Sequence, residues 1–187
     1  MDSNKALEAI YNIIANANYK IYRYWFTDIV FTWRWWVGVV LTILPWIVWT
    51  IIKDKNNTAR LLYVGLVASL LSTTLDNVGI AFGLWYYHYN VTPFFITLIP
   101  WDLSLFPVGI MLILQIKPNI NKYIKALLFA FFTSFVFEPF FVWIGMYQTI
   151  HYKCWYSFFV YVPLYLFFYF IYKSKLCSAQ LKLKKTI

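Results

Sequence analysis

Three acidic residues stand inside apolar stretches: Asp76 in STTLDNVGIAFGLW, Asp102 in LIPWDLSLFPVGI and Glu138 in TSFVFEPFFVWIG. A carboxylate in hydrocarbon is costly, and an ionisable residue at that depth marks a functional site by default. Asp76 lies ten residues before Tyr86, Asp102 eight after Phe94, and Glu138 nine before Tyr147. If those aromatics end their segments, a rise of about 1.5 Å per residue puts all three acids roughly 12 to 15 Å below one membrane surface. No lysine or arginine shares that layer. The acids are left with protonation, a proton shared between them, hydrogen bonds to hydroxyl or amide groups, or a bound cation. Donors are at hand in Ser72, Thr73 and Asn77 around Asp76, in Ser134 one turn before Glu138, and in Ser157, Tyr161 and Tyr165.

A protonated carboxyl in a low-dielectric site can add its proton to an alkene or epoxide. Aromatic faces stabilise the resulting cation, and a second carboxylate takes up the departing proton. Asp76, Asp102 and Glu138 are therefore the candidate catalytic residues. Asn77, Thr73, Ser134, Tyr161, Trp46, Trp101 and Trp143 are the candidate ligand-binding residues. The ligand expected is a hydrophobic, isoprenoid-like small molecule entering from the bilayer. The same residues also suit a proton-coupled transporter or binder of lipophilic cations, and a non-catalytic assembly factor would use the acids as inter-helix hydrogen-bond partners.

The chain that must position them has 187 residues, 62% hydrophobic and 12% charged. A soluble domain carries about 25% charged residues, so this chain cannot solvate its own surface. Five stretches are long and apolar enough to cross a bilayer, which takes roughly 17 to 25 residues: 29–52, 61–86, 94–116, 126–147 and 155–172. The expected fold is an all-α integral membrane bundle of five transmembrane helices (29–172), preceded by an amphipathic interfacial segment (1–28) and followed by a basic tail (173–187). In that first segment Leu7, Ile10, Ile13, Ile14 and Ala17 recur at helical spacing, and no secretory signal is expected there. Aromatic residues at the segment ends read as interfacial belts.

Lysine and arginine gather in the loops after the first and third stretches and in the tail. The positive-inside rule places the carboxyl terminus in the cytoplasm and the amino terminus outside. The net charge of +9 is explained by that topology, and no nucleic-acid partner is expected. Cys154 and Cys177 fall at opposite ends of the fifth stretch, too far apart to pair. No GxSxG, HExxH, CxxC, Walker or aspartate-rich diphosphate motif occurs, so no cofactor and no metal site are expected. The oligomeric state is not encoded legibly.

The segments FTWRWW, LPWIVW, LDNVGIAFGLWYY, PWDLSLFPVGIMLILQ and FEPFFVWIGMY together resemble a family of small multi-pass membrane proteins of spore-forming Gram-positive bacteria. That resemblance implies a bacterial plasma-membrane protein and no particular activity. The chain is similar, more distantly, to membrane-embedded lycopene and terpene cyclases, whose acids lie in proline-bearing helices and act without metal. PWDLSLFP matches a proline followed by paired acids, with Trp101 in the first acid's place. The resemblance implies a metal-independent terpenoid cyclase or isomerase, with Asp102 and more loosely Glu138 as its acids.

Overall fold

The computed structural model describes residues 3–174; the rest of the expected tail, with Cys177, lies outside them. The described residues are mostly helical. Helix α1 (Ser3–Tyr24) leads through a π-helical turn (Trp25–Ile29) to α2 (Trp33–Ile52) and α3 (Thr58–Ala81). Strand β1 (Trp85–Tyr87) and an irregular stretch precede a second π turn (Trp101–Leu105), which continues as α4 (Phe106–Gln115). Helix α5 (Lys122–Phe132), a third π turn (Thr133–Phe137) and α6 (Glu138–Trp143) form one rod; β2 (Tyr147–Thr149) and α7 (Cys154–Lys173) complete the order.

Among the described residues, four helices are long and apolar enough to cross a membrane: α2, α3, the α5–α6 rod and α7. The apolar helix Trp101–Gln115 is shorter; its fifteen residues rise about 22 Å. Outward-facing Ile47, Ile51, Leu127, Phe131, Phe159 and Phe170 are all exposed, an apolar exterior suited to lipid rather than water. In contrast, α1 touches little but the π turn that follows it, and Leu7, Ile10, Ile13 and Ile14 stay exposed.

Two helix pairs make the core, α3 against α4 and α5 against α7. Close approach in the first depends on small residues: a Cβ on Gly65 would crowd the Met111 sulfur, and Ala68 is fully buried. Trp49, Leu61, Phe106, Ile110, Met111, Tyr165 and Phe168 fill the centre.

The two ends of the bundle differ. Lys53, Lys55, Lys117, Lys122, Lys125 and Lys173 cluster at or beside the helix termini of one end, where cations suit exposed helix C-terminal carbonyls. Lys125 donates to Ile113 O at 2.7 Å and Ile116 O at 2.6 Å, closing the last turn of α4. Gln115 donates to Ile52 O at 3.1 Å and does the same for α2. At the other end β1 and β2 pair antiparallel, Trp85 opposite Thr149 and Tyr87 opposite Tyr147.

That hairpin end departs from the expected segment limits. Residues 82–86, 94–98 and 144–147 were expected to continue helices and are not helical. Glycine is the cause at the first and third of these, while Pro93 and Pro100 bracket the second. Gly83 (φ +66°) and Gly145 (φ +77°) both adopt the left-handed conformation that side-chain-bearing residues avoid. Gly83 N–H bonds Ile80 O and Leu84 N–H bonds Gly79 O; Gly145 and Met146 repeat this with Val142 O and Phe141 O. These are Schellman caps. The backbone freed beyond them is satisfied by the strand ladder, the condition for irregular structure near a membrane.

Candidate functional site

Each acid owes its place to the local geometry of its helix. Asp76 sits on the buried face of α3, in line with Ala68, Ser72 and Gly79, residues spaced three or four apart. Asp102 lies within a π turn and Glu138 directly follows one, and both turns end two residues before a proline, Pro107 and Pro139. Proline removes one N–H and clashes with the carbonyl four residues back; a widened turn relieves the clash. Leu103 O, left without a helical donor by Pro107, accepts instead from Trp46 Nε1 at 2.8 Å. Trp46 thereby ties α2 to the turn that carries Asp102.

The side chains of Asp76, Asp102 and Glu138 are 8%, 0% and 9% exposed. Asp76 and Glu138 line one chamber of about 90 Å³ beneath the strands. Asp102 does not line it but is fully buried behind Ser72 and Asp76, which do: Ser72 Oγ donates to Asp102 Oδ1, and its carboxyl faces that of Asp76. Tyr87 and Trp85 also approach Asp76, while Glu138 faces Ser157, Tyr161 and Cys154. Tyr152 OH and Ser157 Oγ lie 3.0 Å apart and extend that chain of hydroxyls. Burial holds the hydroxyls of Tyr87 and Tyr152 above their ordinary range, so both remain protonated. One oxygen of each acid (Asp76 Oδ2, Asp102 Oδ2, Glu138 Oε2) is buried without a hydrogen-bond partner, as is Trp85 Nε1. Buried polar atoms are normally paired, so the chamber is chemically unsatisfied. Among the described residues no three His, Cys, Asp or Glu side chains are grouped to hold one metal ion.

The other residues expected at the site separate into two sets. Trp101 and Tyr161 line the chamber with Asp76 and Glu138. Ser134 is fully buried with an unpaired Oγ one turn before Glu138, and Thr73 is half-buried. Asn77 is exposed and donates to Thr73 O at 2.8 Å; Trp143 is 81% exposed. Helical phase explains both: successive residues turn by about 100°, which carries Asn77 away from the face of Asp76 and Trp143 away from that of Glu138. Trp85, Tyr87 and Tyr152, expected to be interfacial belt residues, and Tyr147, expected to end the fourth span, form the chamber's lid and rim.

The structure also exposes an internal repeat. Ser72, Asp76, Gly83 and Trp85 recur as Ser134, Glu138, Gly145 and Tyr147, each 62 residues on. Seven residues are nearly two helical turns, so each acid faces the same way relative to its cap glycine. The ladder obeys the same shift, since pairing Trp85 with Thr149 is equivalent to pairing Tyr147 with Tyr87. Helix α3 with β1 and the α5–α6 rod with β2 thus repeat one acid–glycine–aromatic pattern in the same direction, and the chamber lies between them.

Gly79 fixes the lid on the first copy. A Cβ there would clash with atoms of the Trp85 ring. Gly79→Ala should therefore displace Trp85 and cost about 1 to 3 kcal/mol as overpacking does, read as a lower Tm in detergent. An unchanged Tm would show that Trp85 is not held against α3.

Beyond Trp101 and Phe106 lies a larger space, an apolar cleft of about 700 Å³ among α2, α4 and α5. These two residues belong to the walls of both spaces. Their rings pack 6.1 Å apart and extend through Tyr161, Phe137 and Phe141 as an aromatic cluster where the two spaces meet. No protein-family model matches the chain, and no curated protein or solved structure shows significant similarity to it.

Proposed function

We propose that this is a bacterial plasma-membrane protein that binds a hydrophobic, isoprenoid-class ligand and transforms it by proton transfer. The chain crosses the bilayer five times, with the irregular stretch before Trp101 completing the short α4 crossing; α1 lies in the interface and the carboxyl terminus is cytoplasmic. The carrying observation is the contact of two unlike spaces: a chamber lined by Asp76 and Glu138 and backed by Asp102, each acid with an unpaired oxygen, and an apolar cleft that shares Trp101 and Phe106 with it.

The chamber alone is too small for a polyene, since ligand sites run to about 300–1,000 Å³. The cleft has that size. In the reaction, a carboxyl of the Asp76–Asp102 pair gives its proton to one alkene carbon, forming a C–H bond. The neighbouring carbon becomes cationic beside the Trp101 and Tyr161 rings and is attacked by the next double bond. A proton on the adjacent carbon then returns to a carboxylate, with Glu138 facing the pair across the chamber. The product is an isomer, and no electrons or other atoms are exchanged.

The repeat favours a second reading, because parallel repeats in membrane carriers enclose their binding sites. In that version the acids exchange protons for a lipophilic cation. Mass spectrometry of molecules copurifying with the protein, together with D76N, D102N and E138Q, separates these readings. A bound polyene converted by wild type and not by D102N supports the enzyme. Tetraphenylphosphonium uptake that follows the proton gradient, with no polyene bound, replaces it with the carrier. Full activity in all three variants reduces the acids to structural hydrogen-bond partners.

A further inference from the structure

The apolar cleft is not apolar throughout. Its walls of Leu41, Val48, Leu112, Leu128 and Phe132 give way at the basic end to Lys117 and Lys125. Lys125 is 8% exposed and its ammonium already donates to two α4 carbonyls. An ammonium has three N–H groups, so one remains for an anion. Lys117 is exposed, with its backbone in the left-handed region (φ +42°) at the turn after α4. A cationic mouth on a hydrophobic cleft is complementary to an anionic amphiphile.

We propose that the cleft seats a single-chain isoprenoid lipid phosphate, its phosphate ester held by Lys117 and Lys125 and its chain lying along α4 toward Trp101. The path from Ile116 to Trp101 covers about 22 Å, more than the roughly 15 Å depth of one leaflet, half of a hydrocarbon core about 30 Å thick. A chain anchored at the lysines must therefore lie nearly extended along α4 to reach Trp101. Gly109, on the floor of the cleft, has open space where a Cβ would stand, which leaves the surface of α4 bare for the chain. The inference rests on the proposed proton chemistry in one respect: the alkene that meets the carboxyl groups is the one farthest from the phosphate. Protonation and ring closure occur there, the C–O bond to phosphate stays intact, and the product keeps its head group.

The test uses the full-length protein in detergent with three probes: geranylgeranyl phosphate, geranylgeraniol and phosphatidylglycerol. The phosphate should bind at least tenfold more tightly than the alcohol, and phosphatidylglycerol should not displace it at equal concentration. Lys117→Gln should reduce the phosphate's affinity about tenfold, toward that of the alcohol. Gly109→Leu, which places a side chain in open space on a helix, should weaken both isoprenoids at least tenfold without lowering Tm. Equal affinity for alcohol and phosphate overturns the head-group assignment. Unchanged binding in Gly109→Leu overturns the cleft, and displacement by phosphatidylglycerol makes it a site for ordinary bilayer lipid. Conversion of geranylgeranyl phosphate is followed separately in D76N, D102N and E138Q. Normal conversion in all three defeats the proton chemistry and leaves the binding site standing.

Discussion

Asp102→Asn is expected to lower ligand turnover by at least about 10²-fold, the lower range for loss of a general acid, while leaving Tm unchanged or slightly raised. The geometry separates the two effects. In the native site Ser72 Oγ donates to Asp102 Oδ1 and the second carboxyl faces from Asp76. Two carboxylates in contact, with no lysine or arginine lining the chamber, repel unless a proton lies between them. Asparagine keeps an oxygen for Ser72 and turns an N–H₂ toward Asp76, so the contact is satisfied and the transferable proton is gone. Asp102→Ala is different, because it leaves Ser72 Oγ unpaired in the core. That should cost about 1 to 3 kcal/mol and lower Tm. Conversion assayed by mass spectrometry and unfolding followed in detergent check both. If Tm and turnover fall together in Asp102→Asn, the acid is a structural partner and the catalytic assignment fails.

The acid layer was legible because its cost is large: nothing in an apolar helix excuses a carboxylate except a partner, and three at one depth required a shared one. Their convergence follows from helical phase as well as depth, and here the sequence was only half readable. Asn77 adjoins Asp76, and Trp143 is near Glu138 in the chain, yet both face outward because one or five residues on a helix do not return to the same side. The lid was missed for another reason. Aromatic runs such as LWYYHY satisfy hydropathy as well as a helix end does, so Trp85 and Tyr87 looked like an interfacial belt and Tyr147 like the end of a span. The available signal was positional. Gly83 and Gly145 each follow an acid by seven residues and precede an aromatic by two, and only a repeat search at 62 residues relates them. Helix α4 was overextended because the stretch before it is apolar, although Pro93 and Pro100 flank it and proline restrains the residue ahead of it.

The cap glycines carry the second large expected effect. Gly83→Val and Gly145→Val should each raise the rate at which a water-soluble maleimide alkylates Cys154, by tenfold or more, in a Cys177→Ser background. Cys154 is a free, half-buried thiol beside Glu138, which lines the chamber, so its reactivity reports water access to the Glu138 side. A β-branched residue held at positive φ costs about 1 to 2 kcal/mol, and the chain can escape by unwinding the cap. Escape shifts β1 or β2, and with it Trp85 or Tyr147 in the chamber wall. The two sites differ in one respect. A Cβ on Gly83 meets nothing within 4 Å, whereas one on Gly145 comes within 3.8 Å of Arg34 Nε, which donates to Ile144 O at 2.7 Å. Gly83→Val therefore isolates the backbone effect, and Gly145→Val adds a disturbed helix cap, so its increase should be the larger. Because both strands belong to one ladder, opening either releases the other, and the double variant should exceed the faster single variant only slightly. Labelling at the wild-type rate in both variants would mean that the ladder does not close the chamber. The acids would then need another barrier to water, and proton transfer to an alkene would lose the dry surroundings it depends on.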